Sequence, residues 1–239
     1  MNQILYCMKK IVFITGAGIS AESGISTFRD SNGLWENYRV EDVASIEGYY
    51  RNPQLVIDFY NARRRETINC KPNEAHKLVA QLEERFNVVV VTQNVDNLHE
   101  QAGSTNVIHL HGELMKATSS DSPNNHSCIV SLSEDNPDIK MGDKAKDGSQ
   151  LRPFIVWFGE PVPMIEKAAE EVADADIVVV IGSSLQVYPA AGLIHYANPD
   201  APLYVIDPKP VNAHTTGEVH YIQNVASKGM KELVEILNK

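Results

Sequence analysis

Cysteine is scarce: the 239-residue chain has three, Cys7, Cys70 and Cys128, far apart. An odd, scattered set offers no disulfide framework, and without a Cys-x-x-Cys pair there is no zinc knuckle, so a reducing compartment is expected. Long apolar runs are also missing. None approaches the about 20 residues that a membrane-spanning helix needs. Lys9-Lys10 followed by apolar residues 11–14 loosely imitates a secretory leader. The run is short, however, and passes into a glycine-rich turn rather than a cleavage site. A cytoplasmic protein is expected, with Met8 a candidate natural start because organised sequence begins at Lys9. Positive charge is in deficit, with 21 Lys and Arg against 31 Asp and Glu, a net −10. Such a field repels phosphate backbones and anionic headgroups, which argues against nucleic acid or a membrane as partner. It mildly favours encounter with lysine-rich protein segments. A monomer is expected.

What is present is ordinary globular composition, with length enough for one large domain or two small ones. The β-branched run 11–15 ends at Gly16-Ala17-Gly18. Runs 87–92, 107–110, 153–158, 176–181 and 203–206 read as buried parallel strands, and 219–222 as one more, because continuous Val/Ile stretches suit a sheet covered on both faces. Helical spacing recurs between them: Ala75, Leu78, Val79, Leu82 and Phe86 behind Pro72-Asn73, then 165–173, then Met230, Leu233, Val234 and Leu237. Alternating strands and helices predict an α/β fold with an open, doubly wound, Rossmann-like parallel sheet. Two stretches interrupt the alternation. Residues 30–72 hold a helix at 53–67 and several aromatics; residues 113–150 are polar, with one short strand expected at 128–132. These two insertions are expected to make a smaller domain, as a lobe or a flap, beside a nucleotide-binding domain of residues 1–29, 73–112 and 151–239.

A strand followed by Gly16-Ala17-Gly18-Ile19-Ser20-Ala21 lets the backbone turn tightly and approach a pyrophosphate, with a helix N-terminus expected to supply donors. The acidic residue that usually ends the second strand of a dehydrogenase is missing, since Glu36 falls inside the first insertion. Hydride transfer is therefore weakened.

Longer blocks are more specific. Residues 16–25, then Thr27-Phe28-Arg29, Gly33-Leu34-Trp35, Thr92-Gln93-Asn94-Val95-Asp96-Asn97-Leu98-His99, His109-Leu110-His111-Gly112, Phe158-Gly159-Glu160 and Gly182-Ser183-Ser184-Leu185 follow in order along the chain. Together they resemble the signature of the sirtuins, the NAD-dependent protein lysine deacylases. The resemblance implies that Gly16, Ala17, Gly18, Phe28 and Arg29 line an NAD site. It implies that Gln93, Asn94 and Asp96 hold nicotinamide and its ribose, with Asn94 also catalytic. His111 would be the general base. Gly182, Ser183, Ser184, Asp207 and Ala226 would serve the phosphate and adenosine side. Val156, Trp157, Phe158, Gly159 and Glu160 would bind the extended substrate peptide, partly through backbone. The implied products are nicotinamide, free lysine and 2′-O-acyl-ADP-ribose. An NAD glycohydrolase or ADP-ribosyltransferase, or a non-catalytic NAD or ADP-ribose sensor, stays open on the same scaffold.

Tyr60 and Arg63, three apart on one helix face, can grip a carboxylate through a phenol and a guanidinium fork. Here the chain resembles the Tyr-x-x-Arg sirtuins, which remove succinyl, malonyl and glutaryl groups, and Ala17 or Ala21 would leave room for a longer acyl chain. Two features depart from the family. Most sirtuins bind structural zinc through two Cys-x-x-Cys pairs after the catalytic His, whereas residues 113–150 hold only Cys128, with His126 two positions earlier. No zinc is expected. Asp207 stands where Asn is usual; it can accept ribose hydroxyls but disfavours a 2′-phosphate, so NAD is expected over NADP.

Overall fold

The computed structural model describes residues 8–25, 38–215 and 217–239. The strands are β1 (Lys10–Thr15), β2 (Asn87–Thr92), β3 (Val107–His109), β4 (Gly112–Ser119), β5 (Val130–Ser131), β6 (Leu151–Ile155), β7 (Ile177–Ile181), β8 (Leu203–Ile206) and β9 (Val219–Ile222). The helices are α1 (Val40–Val43), α2 (Ile46–Arg51), α3 (Pro53–Thr67), α4 (Glu74–Gln81), α5 (Leu98–Ala102), α6 (Ile165–Ala173) and α7 (Ala226–Leu237).

Six strands form a parallel sheet in the order β3-β2-β1-β7-β8-β9. Alternate residues of its strands serve opposite faces. Ile11, Phe13, Val88, Val90 and Val179 pack with Ala75 and Val79 of α4 and Met230 and Leu233 of α7. Val12, Ile14, Val89, Val91, Val178 and Val180 pack with Ala168 and Val172 of α6 and with Leu193 and Ile194. Both faces are therefore apolar, which explains why these strands read as unbroken Val/Ile runs. Each such side chain contributes about 1.5–3 kcal/mol on burial.

Residues 153–158 do not add a strand to this sheet. Leu151–Ile155 instead runs antiparallel to β4, which also pairs with β5. A third core joins this three-stranded sheet to α3, through Val56, Ile57, Phe59, Tyr60, Leu114, Ala117, Ile139, Ile155 and Trp157. Pro53 at the first turn of α3, capped by Asn52, fixes where that helix starts. Asn61 then pins the polar segment opposite it, donating to the Ile139 carbonyl (2.8 Å) and accepting from the Ile139 N–H (3.0 Å).

The polar lobe is held by hydrogen bonds of the same kind. Ser119 at the end of β4 donates to Asp147 (2.5 Å), lies 2.9 Å from the Ser149 hydroxyl, and accepts from the backbone N–H of Asp121 and Ser122. Structural zinc does not fit these residues. His126 is exposed while Cys128 is buried, and the described residues contain no group of three His, Cys, Asp or Glu side chains placed to hold a metal.

Candidate active site

The sheet order reverses direction between β1 and β7, and the crevice at their C-terminal ends is where an open α/β sheet binds ligands. Two loops meet there. Gly16 N–H donates to Ile181 O (3.0 Å) and Gly18 N–H to Gly182 O (2.9 Å). A Cβ on Gly18 would lie 2.6 Å from Gly182 Cα, and Gly182 itself has φ +61°. The glycines are thus required first for one loop to lie against the other. Among the described residues up to Ile25, no α-helix follows the turn; two 3-10 turns, Ala17–Ile19 and Ala21–Ser23, take its place. The expected helix-dipole contribution is absent from this segment. Phe28 and Arg29 lie outside the described residues.

Ser20, 1% exposed, joins the two polar residues after β2. It donates to Asp96 Oδ2 (3.0 Å) and accepts from the Asn94 amide (3.1 Å). Asp96 also accepts from the Leu98 N–H (3.1 Å), and burial pushes its carboxyl above the usual carboxylate range against these bonds. Gln93 reaches across the crevice and donates to the Ser183 hydroxyl (2.9 Å). Ser20 lies within the glycine-rich block, but no role was assigned to it from sequence; a hydroxyl just after a tight turn was the available signal.

His111 follows β3, and its Nδ1 lies 3.0 Å from the Gln93 carbonyl. Burial lowers its pKa, and the bond to Gln93 acts in the opposite sense. His109 lies 3.1 Å from the Asn94 carbonyl through Nδ1 and 2.7 Å from Glu100 through Nε2. Burial opposes charge on His109, but Glu100 outweighs it and raises the pKa. Two histidines of one strand end therefore grip successive carbonyls of the Gln93-Asn94 segment.

On α3, Tyr60 (3% exposed) and Arg63 (9% exposed) are both buried. Burial pushes the Tyr60 phenol up to about 12, with Arg63 acting against it. Burial lowers the Arg63 pKa; the charges of Tyr60, Glu66 and Asp96 oppose that. Val156 N–H donates to the His111 carbonyl (3.0 Å), bringing the 156–160 segment alongside. Both backbone groups of Phe158 are engaged with the 44–46 segment: its N–H donates to Ala44 O (2.9 Å) and its carbonyl accepts from Ile46 N–H (3.0 Å). Backbone pairing of a peptide at Phe158, as expected from sequence, finds those groups occupied, while its side chain is 50% exposed. Gly159 has φ +90°, and a Cβ there would meet Ile46 at 2.9 Å. Glu160 is bound by Arg152.

On the far side, Ser184 is half-buried beside Ser183, and Asp207 accepts from the Lys209 N–H (2.8 Å) at the end of β8. Ala226 is buried at the first turn of α7. Next to it, Ser227 donates to Glu22 through both its N–H (2.9 Å) and its hydroxyl (2.6 Å), clamping α7 to the glycine-rich loop. The donor and acceptor set fits a dinucleotide: small loops for a pyrophosphate, amides and hydroxyls for riboses, and a buried acid for a carboxamide.

Residues 16–189 match the model of the Sir2 family. The chain is 59% identical over 230 residues to an NAD-dependent protein deacylase of Bacteroides thetaiotaomicron, covering 96% of this chain and 98% of the relative. It is 51% identical over 227 residues to an NAD-dependent protein deacylase of Helicobacter pylori, covering 95% and 96%. Among solved structures, a Sir2 homologue in complex with NAD superposes with TM-score 0.84 at 38% identity, covering 97% of this chain and 90% of that one. A Sir2 homologue with ADP-ribose gives TM-score 0.85 at 37% identity, covering 97% and 92%.

Proposed function

The chain belongs to the Sir2 family, and from that premise we propose that it is an NAD-dependent protein lysine deacylase with a preference for acidic acyl groups. The observation that carries the reading is the cluster at the β1/β7 crevice. There Ser20 ties Asn94 to Asp96, and His111 is bonded to the adjoining Gln93 carbonyl, beside two apposed glycine loops.

NAD, when bound, supplies an anomeric carbon whose nicotinamide can leave. This chain's residues do the rest. Asp96, fixed by Ser20 and Leu98, accepts from a carboxamide. Asn94, its backbone held by His109 and its amide directed by Ser20, orients ribose or water. The His111 Nδ1 hydrogen goes to the Gln93 carbonyl, because a carbonyl only accepts, so Nε2 carries the lone pair that takes a proton from a ribose hydroxyl. A lowered pKa keeps that lone pair free at neutral pH. Gly16, Ala17, Gly18, Gly182, Ser183, Ser184, Asp207 and Ala226 serve the phosphate and adenosine side. The exposed Phe158 side chain meets the substrate peptide. Tyr60 and Arg63 receive the acyl carboxylate.

Free cysteines at positions 70 and 128 support a reducing, cytoplasmic location, and among the described residues no helix is long and apolar enough to cross a membrane. The test is a panel of acetyl-, malonyl- and succinyl-lysine peptides incubated with NAD, with products identified by mass. Acyl-ADP-ribose and free lysine are expected, fastest with succinyl or malonyl. NAD cleavage without lysine release would point to a glycohydrolase instead.

A further inference from the structure

The Tyr60 hydroxyl is hydrogen-bonded to Trp157. The indole Nε1–H of Trp157 donates to the Tyr60 hydroxyl at 3.1 Å, inside the core between α3 and the small sheet. An indole nitrogen is a donor only, whereas a hydroxyl has one hydrogen and two lone pairs. The Tyr60 oxygen must therefore accept, and its own hydrogen points away from Trp157. The phenol stays protonated, since burial raises its pKa. It is thereby committed as a donor to a second group.

Trp157 is itself locked. The Arg152 guanidinium lies 3.6 Å from its ring centroid and is 1% exposed. Arg152 donates to both oxygens of Glu160, at 2.8 and 2.9 Å, and to the Ile155 carbonyl at 2.7 Å. Glu160 also accepts from the Trp157 backbone N–H at 2.9 Å. This acid thus accepts three hydrogen bonds, and its charge is countered by Arg152. The Tyr60 hydroxyl thus sits among the Arg63 and Arg152 cations and the Trp157 indole, with Glu160, paired to Arg152, acting in the opposite sense. A carboxylate is the chemistry that completes such a set of donors.

We propose that Trp157 is a specificity-determining residue, its indole N–H orienting the Tyr60 hydroxyl as a donor toward the carboxylate of an acidic acyl-lysine, with Arg152 as the positioning residue that holds the indole. This rests on the reading of Tyr60 and Arg63 as an acyl pocket. Trp157 acts on the acyl group through Tyr60, so its contribution is read in the ratio between acyl substrates, whatever the change in activity common to both.

The experiment is the ratio of kcat/KM for succinyl-lysine over acetyl-lysine peptide, measured in the full chain, in Trp157→Phe, in Tyr60→Phe and in the double variant. Should Trp157→Phe fail to fold, replacing Trp157 by 3-benzothienylalanine keeps the ring shape while sulfur takes the place of the N–H. Loss of the N–H is expected to lower the ratio about fivefold or more. In the Tyr60→Phe background the same change is expected to leave the ratio where it was, because the hydroxyl it orients is gone. A ratio unaltered by removing the N–H, or an equal fall in the Tyr60→Phe background, overturns the inference alone. No succinyl preference in the unsubstituted protein overturns the acyl-pocket reading and this inference with it.

Discussion

The Nδ1 of His111 lies 3.0 Å from the carbonyl oxygen of Gln93, and that one bond fixes which imidazole nitrogen is basic. The carbonyl cannot donate, so the hydrogen sits on Nδ1 and Nε2 presents its lone pair. Burial lowers the pKa, so the ring is already neutral at pH 7. The kcat/KM profile is therefore expected to be flat near neutrality, with an acid limb centred below the ordinary imidazole value of about 6.5. His111→Ala is expected to lose about 100-fold or more of deacylation. An acid limb centred above 6.5 would contradict the assignment.

His109, two residues earlier, carries the opposite shift. Burial works against its charge, but the bond to Glu100 and the charges of Glu100 and Glu113 prevail and raise its pKa. The sign for stability follows. The His109 contribution is complete below its unfolded value of about 6.5 and is lost as pH rises through the raised folded value. Glu100 is lowered in turn: burial opposes this, but the His109 bond and charge prevail. Its contribution is present above the ordinary carboxylate range and is lost as pH falls. Glu100→Gln is expected to lower Tm at pH 6 by about 2–4 °C, the size of roughly 1 kcal/mol in a chain of this length, and by less at pH 9. Thermal melts at the two pH values check this.

Gly18 and Gly182 supply a steric prediction. A Cβ at residue 18 would lie 2.6 Å from the Gly182 Cα and 2.9 Å from its carbonyl oxygen, and backbone cannot give way as a flexible side chain can. Gly18→Ala is expected to cost about 1–3 kcal/mol, seen as a Tm loss of about 3–10 °C, and to weaken NAD binding measured by calorimetry. Gly24, where a Cβ meets nothing among the described residues within 4 Å but φ is +85°, is the comparison. Gly24→Ala is expected to show backbone strain without the loss of NAD affinity.

The sheet was legible because its chemistry is one-dimensional. Val88–Val91 and Val178–Val180 are buried on both faces and leave an unbroken apolar run in the sequence. The helix expected at 165–173 from its spacing and the helical stretch expected at 53–67 coincide with α6 and α3. Residues 153–158 misled for the same reason that 177–181 did not: a short apolar run does not state which sheet it joins. Strand β4 was invisible because Lys116, Thr118 and Ser119 disguise it, their polar groups being satisfied by Glu113, Pro123 and Asp147. In the site, motif order marked His111, Asn94 and Asp96. The Ser20 bonds that join the last two, and the Trp157–Tyr60 bond, are contacts between residues 74, 76 and 97 positions apart. No local pattern encodes those.

The lobe built around Ser119 and Asp147 gives a prediction about metal. Hydrogen bonds from Ser119 and Ser149 hold the Asp147 carboxyl below the usual carboxylate range. Chelator is expected to leave Tm and deacylation unchanged, and elemental analysis is expected to find no stoichiometric zinc. Asp147→Ala is expected to speed hydrogen exchange at the Asp121 and Ser122 amides, whose acceptor Ser119 would lose its anchor. A chelator-sensitive Tm would contradict this account of the lobe.

The central claim is that one site couples NAD cleavage to lysine deacylation, and stoichiometry tests it most directly. Purified protein is given NAD and a succinyl-lysine peptide, and nicotinamide, free lysine and acyl-ADP-ribose are counted in the same sample. The account predicts equal amounts of all three, and the latter two reduced about 100-fold or more with His111→Ala. Lysine release without NAD, or nicotinamide release that ignores the peptide, would contradict it.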